Sequence, residues 1–405
     1  MKYPISPAYL EAAGEYLTPL YQNLEDYIIE KICEQFQTGE ANASALELIR
    51  ELQRRGLDLK EIEKRIKKTL GISQKELNSI FQDAITRNEL YYGDVLDKMG
   101  LVGDSYQMEA MRLEADAIAR QTVGEFVNLT RSMGFVMQDM SGQMQFLTFK
   151  EAYQTALDKA AVRVLSGADS YDVAIREAVK SLTDSGVQVI DYESGHHDRV
   201  DVAARRAVMT GVTQISSKYT EQISEDVPTP YREVSAHSGA RDIDKPNPWS
   251  NHKAWQGKVY SLKSGDIYPN IYSVCGWGEV DGLEGANCRH IHYPFWEGIS
   301  ERTYTDQELA TIDPPDFTFE GKTYNAYQAT QQQRKIERAL RAVKRRYLGE
   351  NSAGIDSTAT AVKYRRLNEE YDKFNKASGL RPQNERANIQ EFGPKEAREA
   401  MKQAS

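Results

Sequence analysis

Cysteine and long apolar runs are scarce in this 405-residue sequence, and basic residues are fewer than acidic ones. Only three cysteines occur, Cys33, Cys275 and Cys288, and a sparse, odd set in a long chain argues against a disulfide framework. No apolar stretch approaches the roughly 18 residues that indicate a membrane span, and the first residues contain no apolar signal core. We therefore expect no membrane partner and synthesis in a reducing cytoplasm.

Positive charge is outnumbered, but it is concentrated at one end. The chain carries 51 Lys and Arg against 60 Asp and Glu, a net charge of −9, which disfavours a protein that coats nucleic acid over its whole surface. Residues 331–405 reverse the balance, with 17 basic against 10 acidic side chains. The pattern indicates an acidic body with a basic tail, and the length suggests more than one domain.

The common catalytic motifs are missing. The sequence contains no GxxxxGK[ST], HExxH or GxSxG, so nucleotide-binding P-loops, zinc proteases and serine hydrolases have no support. Ser235 and His237 are too close in sequence to indicate a catalytic pair and fit a tight turn with Gly239 at positive φ. His196 and His197 lack the further ligands of a nuclease-like metal site and fit a solvated turn. We expect no enzyme.

Helical patterns dominate the first 226 residues. Residues 1–145 are predicted as a helical docking domain, and residues 146–226 as a helical middle region with a short strand over 186–192. The first segment contains an apolar stripe with helical spacing, formed by Leu10, Ala13, Leu17, Leu20, Leu24, Ile28 and Ile32.

Local signals predict where these helices begin and end. Pro19 predicts a kink or two consecutive helices, and helices over 43–55 and 58–70 are predicted to stop at Gly56 and Gly71. Capping boxes at Ser73–Glu76 and Thr148–Glu151 predict that new helices begin there.

The character of the sequence changes near residue 227. All four tryptophans and four of the six histidines fall between Val227 and Gly298, among many prolines and glycines. Residues 227–300 are predicted as a compact α+β module, and residues 301–405 as a basic helical region. In that region a third capping box starts at Thr305, and the last 25 or so residues are expected to fray. The expected fold class is α+β and mainly helical.

The compact module contains the candidate metal ligands. Its histidines and cysteines are His237, His252, Cys275, Cys288, His290 and His292, and thiolate and imidazole are the ligands zinc prefers. We take His252, Cys275, Cys288 and His290 as candidates for zinc, the only cofactor considered. Cys288 and His290 are closer than in a usual knuckle, so ligands would have to converge from separate turns. The alternative is that the cysteines are core residues and the histidines form local hydrogen bonds.

The basic tail contains the candidate nucleic-acid contacts. Arg334, Arg338, Arg341 and Arg345 recur at steps of four, three and four, so they share one helical face. Such a face can lie along the phosphates of double-stranded DNA. It can equally bind an acidic partner, bind the acidic body of this chain, or face solvent.

Several segments together resemble a known family. The segments His252–Lys258, Cys275–Gly276, Gly285–His290 and Pro294–Gly298 resemble the phage minor capsid protein 2 family. Asp191–Gly195 and Arg205–Val212 resemble it as well, and the resemblance extends to about residue 350. The Asn287–Cys288–Arg289 element is also similar, more loosely, to head morphogenesis proteins of the phage Mu F type, in which a second cysteine often stands where this chain has His290.

The resemblance implies a structural protein of a tailed-phage or prophage head. Such a protein associates with the portal or other capsid proteins, assists head assembly and lies near packaged DNA. Two alternatives remain at this stage: a virion-carried enzyme or toxin-type effector, as in fusions of the Mu F type, and a non-specific DNA-binding accessory protein.

Overall fold

The computed structural model describes residues 3–38, 43–101, 105–190, 195–243, 247–389 and 391–404. It is mainly helical with small antiparallel sheets, which confirms the predicted α+β class. The chain forms two compact units that each combine three stretches of sequence. The first unit contains residues 1–17, 73–126 and 204–331, and the second contains residues 18–72, 127–203 and 332–405. Each unit therefore combines segments that are far apart in the sequence.

Helices make up most of the described residues. They are α1 (Pro7–Tyr16), α2 (Thr18–Glu34), α3 (Ala45–Arg55), α4 (Lys60–Lys98), α5 (Ser105–Arg131), α6 (Phe149–Leu165), α7 (Tyr171–Ser185), α8 (Val200–Asp226), α9 (His252–Trp255), α10 (Ile271–Cys275), α11 (Asp306–Ala310), α12 (Ala326–Ser352), α13 (Thr358–Ser378), α14 (Asn384–Ala387) and α15 (Pro394–Gln403). None of them carries an apolar stretch that could span a bilayer.

Short strands form three antiparallel sheets in the described residues. The strands are β1 (Met133–Gln138), β2 (Met144–Leu147), β3 (Gln188–Ile190), β4 (His197–Arg199), β5 (Tyr231–Val234), β6 (Val259–Ser261), β7 (His292–Phe295), β8 (Phe317–Phe319) and β9 (Lys322–Tyr324). The second unit contains the sheet β2-β1-β3-β4, and the first unit contains β6-β5-β7 and the hairpin β8-β9. In the middle sheet β5 pairs with both neighbours, with Tyr231 opposite Ser261 on one side and Phe295 on the other.

Several local predictions are confirmed because short-range hydrogen bonds decide them. Two consecutive helices, α1 and α2, meet at residues 16–18, and α3 ends at Gly56, whose φ is +67°. The capping boxes at Thr148 and Thr305 both form, with the threonine hydroxyl accepting from the N3 amide and the glutamate accepting from the cap amide. β3 confirms a strand at 188–190, while residues 191 and 192 of the predicted strand lie outside the described residues.

Three local predictions are wrong. α4 continues through Gly71 and Ser73, so neither a stop nor a capping box forms there. Residues 133–147 form the β1–β2 hairpin instead of helix. The last 25 residues contain α14 and α15, and their apolar side chains Ala387, Ile389, Phe392 and Ala400 are buried. Burial of these side chains stabilises an end that its polar composition predicted to fray.

The apolar stripe near the N-terminus is an interior feature. Leu10, Leu17, Leu24, Ile28 and Ile32 are all at most 1% exposed. A helix face that is already packed within its own chain offers no surface to a partner. The stripe therefore stabilises the fold, and any docking surface in residues 1–145 must lie elsewhere.

Candidate functional site

The compact module positions its histidines and cysteines around the middle sheet of the first unit. Cys288 and His290 lie in the extended segment that leads into β7, two residues apart, so their side chains point to the same side. His252 is the first residue of the short helix α9, whose cap residue Asn251 accepts from the amide of Ala254. The candidate ligands thus come from separate turns, as the close spacing of Cys288 and His290 required.

Three of the four predicted metal candidates come together. The donor atoms of His252, Cys288 and His290 lie within 4.8 Å of one another, and all three residues are buried. The Nδ1 atom of His290 is 3.6 Å from the Sγ atom of Cys288. Cys275 does not join this group; it lies with Trp255 and Tyr260 in a buried apolar cluster, to which Cys288 also belongs.

The outer hydrogen bonds of both imidazoles fix which nitrogen carries the proton. The Nε2 atom of His252 lies 2.9 Å from the backbone carbonyl of Asp281, which can only accept. The Nε2 atom of His290 lies 3.0 Å from the Oε1 atom of Gln256, and the same oxygen accepts from the backbone N–H of His237 at 3.0 Å. Both Nε2 atoms therefore donate, and both Nδ1 atoms keep a lone pair.

Burial sets the charge states of the group. It lowers the pKa of His252 to about 4 and holds the pKa of His290 well below its ordinary value. It also raises the pKa of the Cys288 thiol to about 11. At neutral pH the two imidazoles are uncharged and the thiol is protonated, because a low-dielectric interior disfavours every charged form.

Surrounding side chains hold the loop that faces His252. Asp281 accepts from the Nε1 atom of Trp249 at 2.9 Å and from the hydroxyl of Ser250, and Arg241 donates to its carbonyl at 3.0 Å. His237 is half-buried, and its ring stacks on that of His290 with centroids 4.4 Å apart. Glu284 and Asn287 both have positive φ in this loop, a conformation that persists only where neighbouring contacts enforce it.

A buried His–Glu pair lies beside this group. The Nδ1 atom of His292 is 2.8 Å from the Oε1 atom of Glu284, which also accepts from the hydroxyl of Ser217 through its second oxygen. Burial opposes ionisation of Glu284, but His292 outweighs it and lowers the pKa of the carboxyl. His292 thus forms a local hydrogen bond of the kind that the alternative to a metal site expects.

The four arginines of the basic helix have different environments. Arg338 is exposed and Arg334 is half-buried, whereas Arg341 and Arg345 are only 5% and 2% exposed. A phosphate role for Arg341 and Arg345 is not compatible with this placement, since both guanidinium groups are bound to carboxylates in the interior. For these two residues the structure matches the alternative that the helix binds the chain's own acidic body.

The carboxylates that bind them were not singled out by the sequence analysis. Arg345 pairs with Asp26 at 2.8 Å and with Glu25, and Arg341 pairs with Asp201 at 3.2 Å. Arg199 also pairs with Glu25, at 2.6 Å. Three guanidinium groups thus meet three carboxylates inside the second unit. The signal available in the sequence was an acidic pair inside an otherwise apolar stripe, Glu25 and Asp26 between Leu24 and Ile28.

Comparisons with known proteins relate this chain to phage structural proteins. A structural protein of Lactococcus phage LL-H is 26% identical over 167 residues, which cover 38% of this chain and 42% of that protein. The chain thus matches less than half the length of this relative. No protein of known structure matches the chain. The family described as phage minor capsid protein 2 matches residues 5–376, and the chain belongs to this family of phage structural proteins.

Proposed function

We propose that this minor capsid protein binds the portal or the inner shell of the phage head and assists head assembly. The observation that carries the proposal is that the reactive side chains of the chain are used internally. The thiols are all buried, and the buried guanidinium groups of Arg341 and Arg345 are paired with carboxylates. Such networks suit a scaffold that holds a defined shape. Family membership also favours a structural over an enzymatic role.

The surface best suited to bind another capsid protein lies on α4 and α5 in the first unit. Leu90 and Leu113 are 61% and 63% exposed. Their neighbours Glu89 and Arg112 form an ion pair of 3.2 Å between the two helices, so both leucines lie at the same level of the helix pair. Two exposed leucines at one level of a helix pair offer apolar area to a partner, and burial of that area on binding would favour association.

Head incorporation of variants tests this surface. A phage lacking the gene is complemented with the wild-type chain, with Leu90→Lys/Leu113→Lys, or with Leu165→Lys, which changes a leucine of matching 63% exposure in the second unit. We expect the double variant to be depleted from purified heads and the Leu165 variant to be incorporated normally. Equal incorporation of all three chains would exclude the α4–α5 surface. Absence of the wild-type chain from purified heads would contradict the proposal as a whole.

Cross-linking identifies the partner. Lysine-reactive cross-linking of purified heads, followed by mass spectrometry, is expected to join this chain to the portal protein or to the inner-shell protein. Cross-links found only to tail proteins would place the chain elsewhere in the virion and contradict this part of the proposal.

Contact with packaged DNA is a second candidate role, favoured by the exposed part of the basic tail. Lys335 and Arg338 on α12 and Lys363 and Arg366 on α13 are exposed, and positive side chains bind phosphates by releasing counterions. We expect Lys335→Ala/Arg338→Ala to weaken binding of duplex DNA and to reduce its salt dependence. The matched control, Lys67→Ala/Lys68→Ala, removes the same charge from exposed positions of α4. Equal losses in both variants would show only a general charge effect.

A further inference from the structure

We propose that His252, Cys288 and His290 form a binding site for a divalent transition metal that prefers thiolate and imidazole ligands, of which zinc is the expected one. The inference is independent of the proposed function. It rests on the convergence of the three donor atoms within 4.8 Å and on the hydrogen bonds that hold the two rings.

The distances match a shared metal. Zinc binds sulfur at about 2.3 Å and imidazole nitrogen at about 2.05 Å, so a thiolate and an imidazole on one tetrahedral zinc are about 3.6 Å apart. The Sγ atom of Cys288 and the Nδ1 atom of His290 are 3.6 Å apart. The donor atom of His252 lies within 4.8 Å of the other two, so it would have to move closer to them when a metal binds.

The hydrogen bonds around the group match as well. A metal-bound histidine commonly donates its other N–H to a carbonyl or carboxylate, which fixes the ring and leaves one lone pair for the metal. His252 donates to the carbonyl of Asp281 and His290 donates to the amide oxygen of Gln256, so both Nδ1 atoms present lone pairs. Because Gln256 also accepts from the backbone of His237, its oxygen cannot be exchanged for its NH₂ group without losing a bond.

The proposed site has three protein ligands and a fourth position for water. His237 does not supply the fourth ligand, since its ring is stacked on that of His290 and ligand lone pairs lie in the ring plane. Cys275 stays in the apolar core. Binding releases one proton, which leaves the Cys288 thiol for solvent, while both imidazoles keep their Nε2 protons. The resulting site would join α9 to the segment before β7.

Cobalt and zinc binding by the full-length chain test the proposal. The chain is freed of metal with a chelator and titrated with Co²⁺, which is followed by absorbance, and then with Zn²⁺. We expect one equivalent of Co²⁺ to produce a thiolate-to-cobalt charge-transfer band and the intense visible bands of tetrahedral coordination, both abolished by Zn²⁺. Cys288→Ser is expected to lose the charge-transfer band. Cys275→Ser, which changes an equally buried free thiol, is expected to keep it.

Two further measurements keep the outcome decisive if Cys288→Ser folds poorly. In the wild-type chain, Zn²⁺ is expected to protect Cys288 from a thiol reagent more than Cys275 or Cys33, under mild denaturant in which the metal-free chain reacts at all three thiols. His252→Gln is expected to weaken binding while retaining the band. The proposal is overturned if the wild-type chain binds no stoichiometric metal, if its cobalt complex lacks the thiolate band, or if Cys275→Ser loses the band as well.

Discussion

Replacing Arg345 with methionine is the sharpest test of what stabilises the second unit. The guanidinium is 2% exposed and bonds to Asp26 at 2.8 Å and to Glu25. Methionine retains much of the volume but removes the charge. It leaves three carboxylates facing the two remaining guanidinium groups, those of Arg341 and Arg199.

The expected loss of stability follows from the buried carboxylate that is left without a partner. Removing one partner of a buried ion pair destabilises a protein by about 3–5 kcal/mol, because the other charge stays buried without compensation. Arg338→Met changes the same residue type on the same helix at an exposed position, where the expected effect is within about 0.5 kcal/mol. The contrast between the two variants therefore isolates burial and pairing from helix propensity.

Native-state hydrogen exchange is the appropriate assay, since a chain with two compact units need not unfold in one step. A loss of 3–5 kcal/mol corresponds to roughly 100- to 5,000-fold faster exchange of amides in α2 and α12. Burial raises the pKa of Asp26, so its protonation at lower pH is expected to shrink the defect of Arg345→Met.

A second substitution separates charge from packing. Asp26→Leu added to Arg345→Met removes the orphaned carboxylate and is expected to restore part of the lost protection, since apolar replacements of whole buried pairs are often tolerated. The reasoning is refuted if Arg345→Met exchanges no faster than Arg338→Met. Absence of any recovery in the double variant would show that shape, not charge, determines the effect.

Three further outcomes are expected. Gly71→Ala should stabilise the chain by about 0.5–1 kcal/mol, because Gly71 lies inside α4 with open space around it. Gly56→Ala should destabilise the chain, since Gly56 has a φ of +67°. Thermal melts in which Gly56→Ala is the more stable variant would contradict the continuous helix. Burial opposes ionisation of Asp201, but the neighbouring positive charges, chiefly Arg341 and Arg199, outweigh burial and lower its pKa, so the ionised carboxylate stabilises the folded chain above pH ~3.9 and this contribution is lost as the pH falls. The difference in free energy of unfolding between wild type and Asp201→Asn should therefore narrow in acid. A constant difference in denaturant titrations from pH 7 to 3 would refute this prediction. Gln256→Leu should weaken zinc binding by about 10- to 100-fold, whereas Gln256→Glu, which keeps an acceptor for His290, should retain the affinity of the wild-type chain. Equal zinc affinities of the two variants in competition titrations would exclude an orienting role for the Gln256 side chain.

The start of a helix was predictable where a few neighbouring residues supply the hydrogen bonds that cap it. The capping boxes at Thr148 and Thr305 form because a hydroxyl and a carboxylate three residues apart satisfy amides that the helix itself leaves unpaired. Ser73–Glu76 has the same pattern, yet α4 continues through it. At Ser73 the preceding residues are already helical, so the backbone amides bond to carbonyls of the previous turn and no capping box is needed.

The sequence also supplied the types of residue in the candidate metal site, but not their arrangement. Thiolate and imidazole ligands were evident from composition, and His252, Cys288 and His290 do converge. In the sequence Cys288 lies two residues from His290 and Cys275 has no histidine close to it, but this spacing could not show which cysteine meets His252. Only the tertiary structure shows that Cys288 meets two histidines, although both thiols lie in the same buried apolar cluster.

By itself the sequence determined the fold class, the family resemblance and the residue types from which metal and phosphate contacts are predicted, because composition and short motifs depend on neighbours along the chain. Tertiary structure decided how these residues are used. It brought Glu25, Asp26 and Asp201 to Arg341 and Arg345 across as many as 320 positions, and so turned half of a predicted phosphate-binding face into buried ion pairs. Contacts over such separations depend on the path of the whole chain, which no local pattern records.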